Sequence, residues 1–231
     1  MEEIRLNKYL SEAGVCSRRE ADKRIAEGRV TVDGKPALTG MKITPDRVIC
    51  VDGVRVGRLP EPVLIAVYKP AGVVCTAAES EKKNLVTYVG YPERLFPVGR
   101  LDKDSEGLIL MTNQGELADR IAHARGLHEK EYIVRIDRPV TQEFVEAMSR
   151  GVKILNTRTR PCQVEKIASN RFRIILTQGL NRQIRRMCEA LGCRVTQLCR
   201  VRVMNITLGD LRIGEYRHIA GDELEALKSL L

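Results

Sequence analysis

Between two short, largely apolar runs, Arg94-Leu95-Phe96-Pro97-Val98 and Ile109-Leu110-Met111, the chain carries ten residues: Gly99-Arg100-Leu101-Asp102-Lys103-Asp104-Ser105-Glu106-Gly107-Leu108. Such a segment predicts a polar connection between strands. Arg100 and Asp102 are two residues apart, so in extended backbone their side chains share a face. An acid on a short connection, with a cation beside it, is kept ionised and can be aimed at a ligand. Asp102 is therefore the first candidate for chemistry.

The 231 residues suit one or two domains. Hydrophobic residues make up 43%, enough for a real core, but aromatics are 4% and tryptophan is absent, so that core is aliphatic. No apolar run approaches the ~20 residues that span a bilayer. The start, Met1-Glu2-Glu3-Ile4-Arg5, is acidic where a secretory leader is basic. The expected location is the cytoplasm, with no membrane partner. Seven scattered cysteines contain no Cys-x-x-Cys pair, and the spacing of Cys188, Cys193 and Cys199 fits no standard zinc pattern. They read as small buried residues in a reducing compartment, and no metal site is expected.

Charge is concentrated. Arg171 to Arg202 holds eight arginines, no lysine and one acid, Glu189, which accounts for most of the chain's net +9. A basic cluster without interspersed acids is an electrostatic footprint for a polyanion, and arginine's planar fork suits phosphates and bases. Nucleic acid is the expected partner.

Residues 1–58 read as a small module. Ile4, Leu6, Tyr9 and Leu10 predict a short amphipathic helix ended by Gly14. Ser17 caps a second helix over Arg18–Ala26, which Gly28 ends. Two strands follow, Arg29–Val32 and Val48–Val51, with turns at Asp33-Gly34 and Asp52-Gly53. Residues 59–62, within Gly57–Pro62, form a linker. Residues 63–231 read as one larger domain. Its strands are expected at Val63–Tyr68, Gly107–Thr112, Glu131–Ile136, Arg171–Thr177, Arg202–Leu208 and Glu215–Ile219. Its helices are expected at Glu116–Ala124, Gln142–Arg150, Asn181–Leu191 and Asp222–Leu230, with Thr141 and Asp222 as caps. Many strands without regular β-α alternation predict an α+β fold on a mostly antiparallel sheet.

Three motifs in order, Gly99-Arg100-Leu101-Asp102, Lys130-Glu131-Tyr132 and Gln178-Gly179-Leu180-Asn181-Arg182-Gln183-Ile184-Arg185-Arg186-Met187, resemble the pseudouridine synthases. The first module resembles the S-four-like RNA-binding domain through Leu6–Leu10, Ser17–Asp22 and Gly28–Gly34. The resemblance spans nearly the whole chain. Within the family it is nearest to the F-type synthases, which act on a uridine of 23S ribosomal RNA. Some members of that subgroup also modify transfer RNA. It implies isomerisation of uridine to pseudouridine, with no metal or redox cofactor.

The resemblance also implies roles. Asp102 matches the catalytic aspartate, acting as nucleophile or as base. Arg100 matches the residue that displaces and holds the target nucleotide, and Tyr132 the ring that stacks on its base. Arg185 matches the cation that pairs with the aspartate. Leu198 packs against the uracil. Arg186, about 100° around the helix from Arg185, suits an RNA phosphate. Asn181 and Arg182 are further substrate-binding candidates, and Lys69, in the Lys69-Pro70-Ala71-Gly72 turn that matches the family's, reads as structural with an RNA or substrate contact in addition. In the first module Arg18, Arg19, Lys23 and Arg24 would meet the RNA backbone, or else form a solvated face with Glu20, Asp22 and Glu27. Asp104 and Glu106 fall outside the motif position and read as turn or solvation residues. The partner is RNA, either 23S or a pre-ribosomal particle, and the expected state is a monomer. The alternative is a non-catalytic RNA-binding assembly factor. A nucleoside glycosidase would need a second essential acid.

Overall fold

The computed structural model describes residues 3–76, 81–122 and 127–231, which divide into two compact units. One is Met1–Pro62 with Pro92–Arg94 and Asn113–Gly115; the other is Val63–Tyr91, Leu95–Thr112 and Glu116–Leu231.

The first unit comprises β1 (Ile4–Arg5), α1 (Leu6–Glu12), α2 (Arg18–Ala26), β2 (Val30–Val32), β3 (Lys35–Pro36), β4 (Lys42–Ile43), β5 (Ile49–Val51) and β6 (Val54–Arg55). Ile4, expected in the first helix, instead pairs with Ile43 in a two-stranded ladder. Ser17 caps α2, its side chain accepting the Glu20 N–H. Both Asp-Gly pairs close two-residue hairpins with positive φ at each position, 50° and 77° at Asp33-Gly34, 51° and 79° at Asp52-Gly53. Those are the dihedrals whose twist matches that of paired strands. Leu6, Leu10, Ala21, Ile25, Val30 and Ile49 form the unit's core.

The second unit comprises β7 (Leu64–Lys69), α3 (Leu85–Val89), β8 (Phe96–Val98), β9 (Glu106–Thr112), α4 (Gly115–Ala122), β10 (Lys130–Ile136), α5 (Gln142–Ser149), β11 (Lys153–Ile154), β12 (Thr157–Arg158), β13 (Gln163–Ala168), β14 (Arg171–Leu176), α6 (Gln183–Ala190), β15 (Val195–Val203), β16 (Ile206–Thr207), β17 (Tyr216–His218) and α7 (Gly221–Ser229). The expected helix over Glu116–Ala124 runs on into residues outside the described ones.

Nine of these strands form one sheet in the order β13-β14-β10-β15-β9-β7-β17, with β8 on β9 and β16 on β15. Every pairing is antiparallel except β9 with β15. The fold is thus α+β on a mostly antiparallel sheet. Its central strands are buried on both faces, which explains their continuous apolar runs. In β9, Leu108 and Leu110 face one cluster with Leu117 and Ile121 of α4, while Ile109 and Met111 face another with Leu85 of α3. A third cluster packs Val134 and Phe172 against Met148 of α5 and Met187 of α6.

Two further expectations are corrected. The strand placed over Arg202–Leu208 is two strands about a turn at Met204, and the longer partner begins at Val195. Asp222 does not cap α7: the helix starts at Gly221 after Ala220, so Asp222 lies in the first turn, where a negative charge still suits the helix dipole. Thr141 does cap α5, its hydroxyl accepting the Phe144 N–H at 3.2 Å.

Candidate active site

The Asp102 loop joins β8 to β9 and is held along most of its length. Leu101 N–H donates to Cys75 Sγ at 3.3 Å. Ser105 N–H closes a turn on Asp102 O at 3.1 Å, and Gly72 N–H donates to Lys103 O at 2.6 Å. The Asp104 carbonyl and the Ser105 hydroxyl both accept from Arg185 Nη2, at 2.9 and 3.1 Å. Lys69 Nζ donates to Pro70 O at 2.8 Å and Ser105 O at 2.6 Å. A loop tied at five successive residues needs little reorganisation to present Asp102.

Lys69 therefore supports the loop from beneath. It is 0% exposed and is not among the residues lining the cleft, so its assignment to RNA or substrate contact is corrected. Burial pushes its ammonium pKa below the ordinary value, with the nearby acids pulling the other way.

The loop opens onto a cleft of about 470 Å³. Asp102 and Arg100 line it from the loop, Lys130 and Tyr132 from β10, Leu198 and Arg200 from β15, Asn181 and Arg182 from the turn before α6, and Arg185 from α6. Sheet register explains the floor. Tyr132 is opposite Arg200, and Val134 opposite Leu198, so those side chains share one face. Arg186 is not among the lining residues; its guanidinium turns back to Asn181 O and Oδ1, at 3.1 and 3.2 Å.

The expected ion pair between Arg185 and Asp102 is replaced by a different one. Arg185 Nε lies 3.4 Å from Asp104 Oδ2. Arg182 is the cation that reaches Asp102, at 3.9 Å, while holding Asp104 in a two-pronged pair at 3.0 and 3.1 Å. The Arg182 hydrogen bond, with Arg185 nearby, holds the Asp104 carboxyl below its ordinary pKa of 3.8. Arg182 keeps a left-handed φ of 51° immediately before α6, which fits a residue stationed to serve two carboxylates. Asp104, read as a turn residue, is the hub of the loop. Glu106 accepts from Gln197 Nε2 at 2.7 Å.

The arginine cluster is also not the bare cationic face that the sequence suggests. Arg173 pairs with Glu165 and Glu131, Arg194 with Asp137, and Arg202 with Glu129 and Glu131. The acids missing from the segment come from β13, from β10 and from the residues on either side of β10. In the first unit Arg18 and Arg19 are exposed, whereas Arg24 pairs with Glu20 at 3.1 Å and Lys23 with Glu27 at 3.9 Å. Among the described residues no cluster of His, Cys, Asp and Glu suits a metal ion, and no helix is long and apolar enough to cross a membrane.

The model of the RNA pseudouridylate synthases matches residues 63–190. The chain belongs to that family. An S4 domain model matches residues 4–49. The synthase is 50% identical to the dual-specificity RNA pseudouridine synthase RluF of Escherichia coli K12, over 99% of this chain and 79% of that one. It is 34% identical to the ribosomal large subunit pseudouridine synthase B of Bacillus subtilis, over 98% and 96% of the two chains. A crystal structure of a pseudouridylate synthase superposes with a TM-score of 0.71 at 26% identity, covering 99% of this chain and 100% of that one. The family activity is isomerisation of uridine in RNA to pseudouridine, and this chain is an RNA pseudouridine synthase.

Proposed function

We propose that the synthase isomerises one uridine of 23S ribosomal RNA, with a transfer RNA as a second substrate, and that it works as a monomer in the cytoplasm. The relative with half its residues in common is named a dual-specificity RNA pseudouridine synthase, which supports a second substrate, and a relative named for the ribosomal large subunit supports the ribosomal one. In this reading the unit Met1–Pro62 grips the RNA backbone through Arg18 and Arg19, and the unit beginning at Val63 performs the reaction.

The observation that carries the catalytic assignment is the convergence of Asp102, Arg100, Tyr132, Leu198 and Arg185 on one cleft. A uridine flipped out of its stack enters there. Arg100, exposed at the rim, holds the displaced nucleotide. The Tyr132 ring and the Leu198 side chain give the base an apolar seat, a stacking contact worth ~1–3 kcal/mol. Asp102 is the carboxylate at the sugar, and Arg182 and Arg185, through Asp104, fix where it stands. The C1′–N1 bond breaks with its electron pair on N1. The base turns, C5 bonds to C1′, the C5 proton leaves and N1 gains one. The product is an isomer, so no electrons enter or leave.

The test is pseudouridine mapping by carbodiimide adduct and primer extension, on 23S, 16S and transfer RNA from a strain lacking the protein. One absent 23S site, restored by wild type and not by Asp102→Asn, is the expected result. No absent site in any of these RNAs would overturn the substrate assignment.

A further inference from the structure

Arg200 and Arg202 lie two residues apart on β15 and have opposite surroundings. Arg202 is matched, with Nε on Glu131 and Nη2 on Glu129 at 2.8 and 2.9 Å. Arg200 is 3% exposed, and its one bond is from Nε to the Leu108 carbonyl at 2.7 Å. Among the described residues no carboxylate and no second acceptor meets its Nη groups. A bulge separates the two arginines. Glu131 is opposite Arg202 but Tyr132 is opposite Arg200, so Val201 is the extra residue and the two side chains leave opposite faces. Arg200 is thereby turned onto the cleft floor. Lys130 lines the same floor, with Nζ on the His128 carbonyl at 3.4 Å and no carboxylate among the described residues. Burial, and then Arg200 beside it, push the Lys130 pKa down.

Arg200 lines the cleft with Nη groups that no protein acceptor among the described residues meets, so an acceptor entering the cleft completes them. The candidates are a backbone phosphate and a ring oxygen of the base. Depth favours the base: Arg200 sits on the floor beside Tyr132 and Leu198, which seat the pyrimidine, whereas the phosphates of a flipped nucleotide stay at the rim with Arg100.

We propose that Arg200, with Lys130 beside it, forms a pyrimidine-carbonyl subsite: it binds a ring oxygen of the target uracil and stabilises the negative charge that spreads onto O2 and O4 as the C1′–N1 bond breaks. The subsite rests on the synthase reading and assigns a residue to substrate choice within it. Guanidinium only donates, so if the oxygen bound is O4 it also rejects the amino group that cytosine carries there. Fixed donors aimed at developing charge in a water-poor site act on the chemical step rather than on RNA affinity.

The test uses a 23S fragment bearing the mapped uridine, with uridine, 2-thiouridine or 4-thiouridine at that one position, since sulfur is the weaker hydrogen-bond acceptor. Single-turnover rates and RNA affinity are measured for wild type, Arg200→Lys and Lys130→Met. The expected result is a slowing of wild type of about tenfold or more by one of the two thio substitutions. That penalty should shrink to less than about threefold in Arg200→Lys, with affinity for the RNA unchanged. The position of the sensitive atom then names the oxygen. Full speed on both thio RNAs, or an equal penalty in the variants, would overturn the subsite. So would a variant that loses affinity and salt dependence while keeping its chemical rate, because that is the mark of a phosphate contact. If Arg200→Lys does not fold, the wild-type penalties and Lys130→Met still decide. Wild-type turnover of unmodified RNA separates failure of the synthase reading, which would take the subsite with it, from failure of the carbonyl contact alone.

Discussion

Gly107 and Arg200 are opposite one another where β9 and β15 run parallel, and a Cβ at Gly107 would collide with the Arg200 backbone. Gly107 also has a φ of 105°, which side chains rarely adopt. One glycine thus sets how closely the Asp102 loop approaches the cleft floor.

Gly107→Ala should destabilise the protein by about 3 kcal/mol, through both the dihedral and the contact. Urea denaturation measures it. Turnover at a temperature where the variant is still folded should fall further than RNA affinity does, because β15 carries Leu198 and Arg200. A variant as stable as wild type would show that the two strands separate without cost.

Asp102→Asn should abolish isomerisation and leave RNA binding and thermal stability close to wild type. The carboxylate is partly exposed, and its ion pair is a distant 3.9 Å, so little folding energy rides on it. Activity and filter binding are read in parallel. Loss of binding as the main effect would assign Asp102 to grip rather than to chemistry.

Asp104→Asn should slow turnover with a smaller change in affinity, because both arginines beside the loop lose their shared carboxylate. The pH dependence has a definite sign. The folded carboxyl is held below 3.8 by Arg182 first, so its stabilisation is present above that pH and is lost as pH falls through the lower folded value. The stability gap between wild type and the variant should be flat from neutral pH to about 5 and should close only in stronger acid. A gap that closes near neutrality would point to a different group.

Lys69→Met replaces a buried ammonium with an apolar chain of similar length. Lys69 has a lowered folded pKa, so the unfolded chain holds its proton longer and wild-type stability rises with pH between the folded value and 10.5. Relative to the variant, wild type should gain stability across that alkaline window, as followed by denaturant midpoints. A gap independent of pH would mean that Lys69 titrates as a solvent-exposed lysine.

Local signals were the legible ones. Ser17 and Thr141 cap helices because a hydroxyl reaching a nearby N–H is a property of four consecutive residues. The two Asp-Gly hairpins are legible for the same reason. The floor strand Val195–Val203 was hidden because Arg200 and Arg202 mimic a phosphate-binding run, and only the acids of β10 and its approach reveal Arg202 as a structural pair. The Asp104 hub was hidden too, since its partners at 182 and 185 are distant in sequence. Motif resemblance gathered Asp102, Tyr132, Leu198 and Arg185 but left Lys69 between a structural role and an RNA contact. A lysine within a motif carries no signal of whether its ammonium faces water or two carbonyls.

The parallel contact between β9 and β15 joins residues about ninety positions apart, Glu106 with Cys199 and Arg200 with Gly107. Loop closure over that span is among the slowest contacts a domain of this size makes. The Asp102 loop and the strand carrying Leu198 and Arg200 therefore meet only after most of the unit has been synthesised and arranged. A chain truncated before residue 195 retains its aspartate and Tyr132 but lacks Leu198 and Arg200, the β15 side of the floor. The cleft is thus completed from the far end of the sequence, when β15 takes its place beside β9.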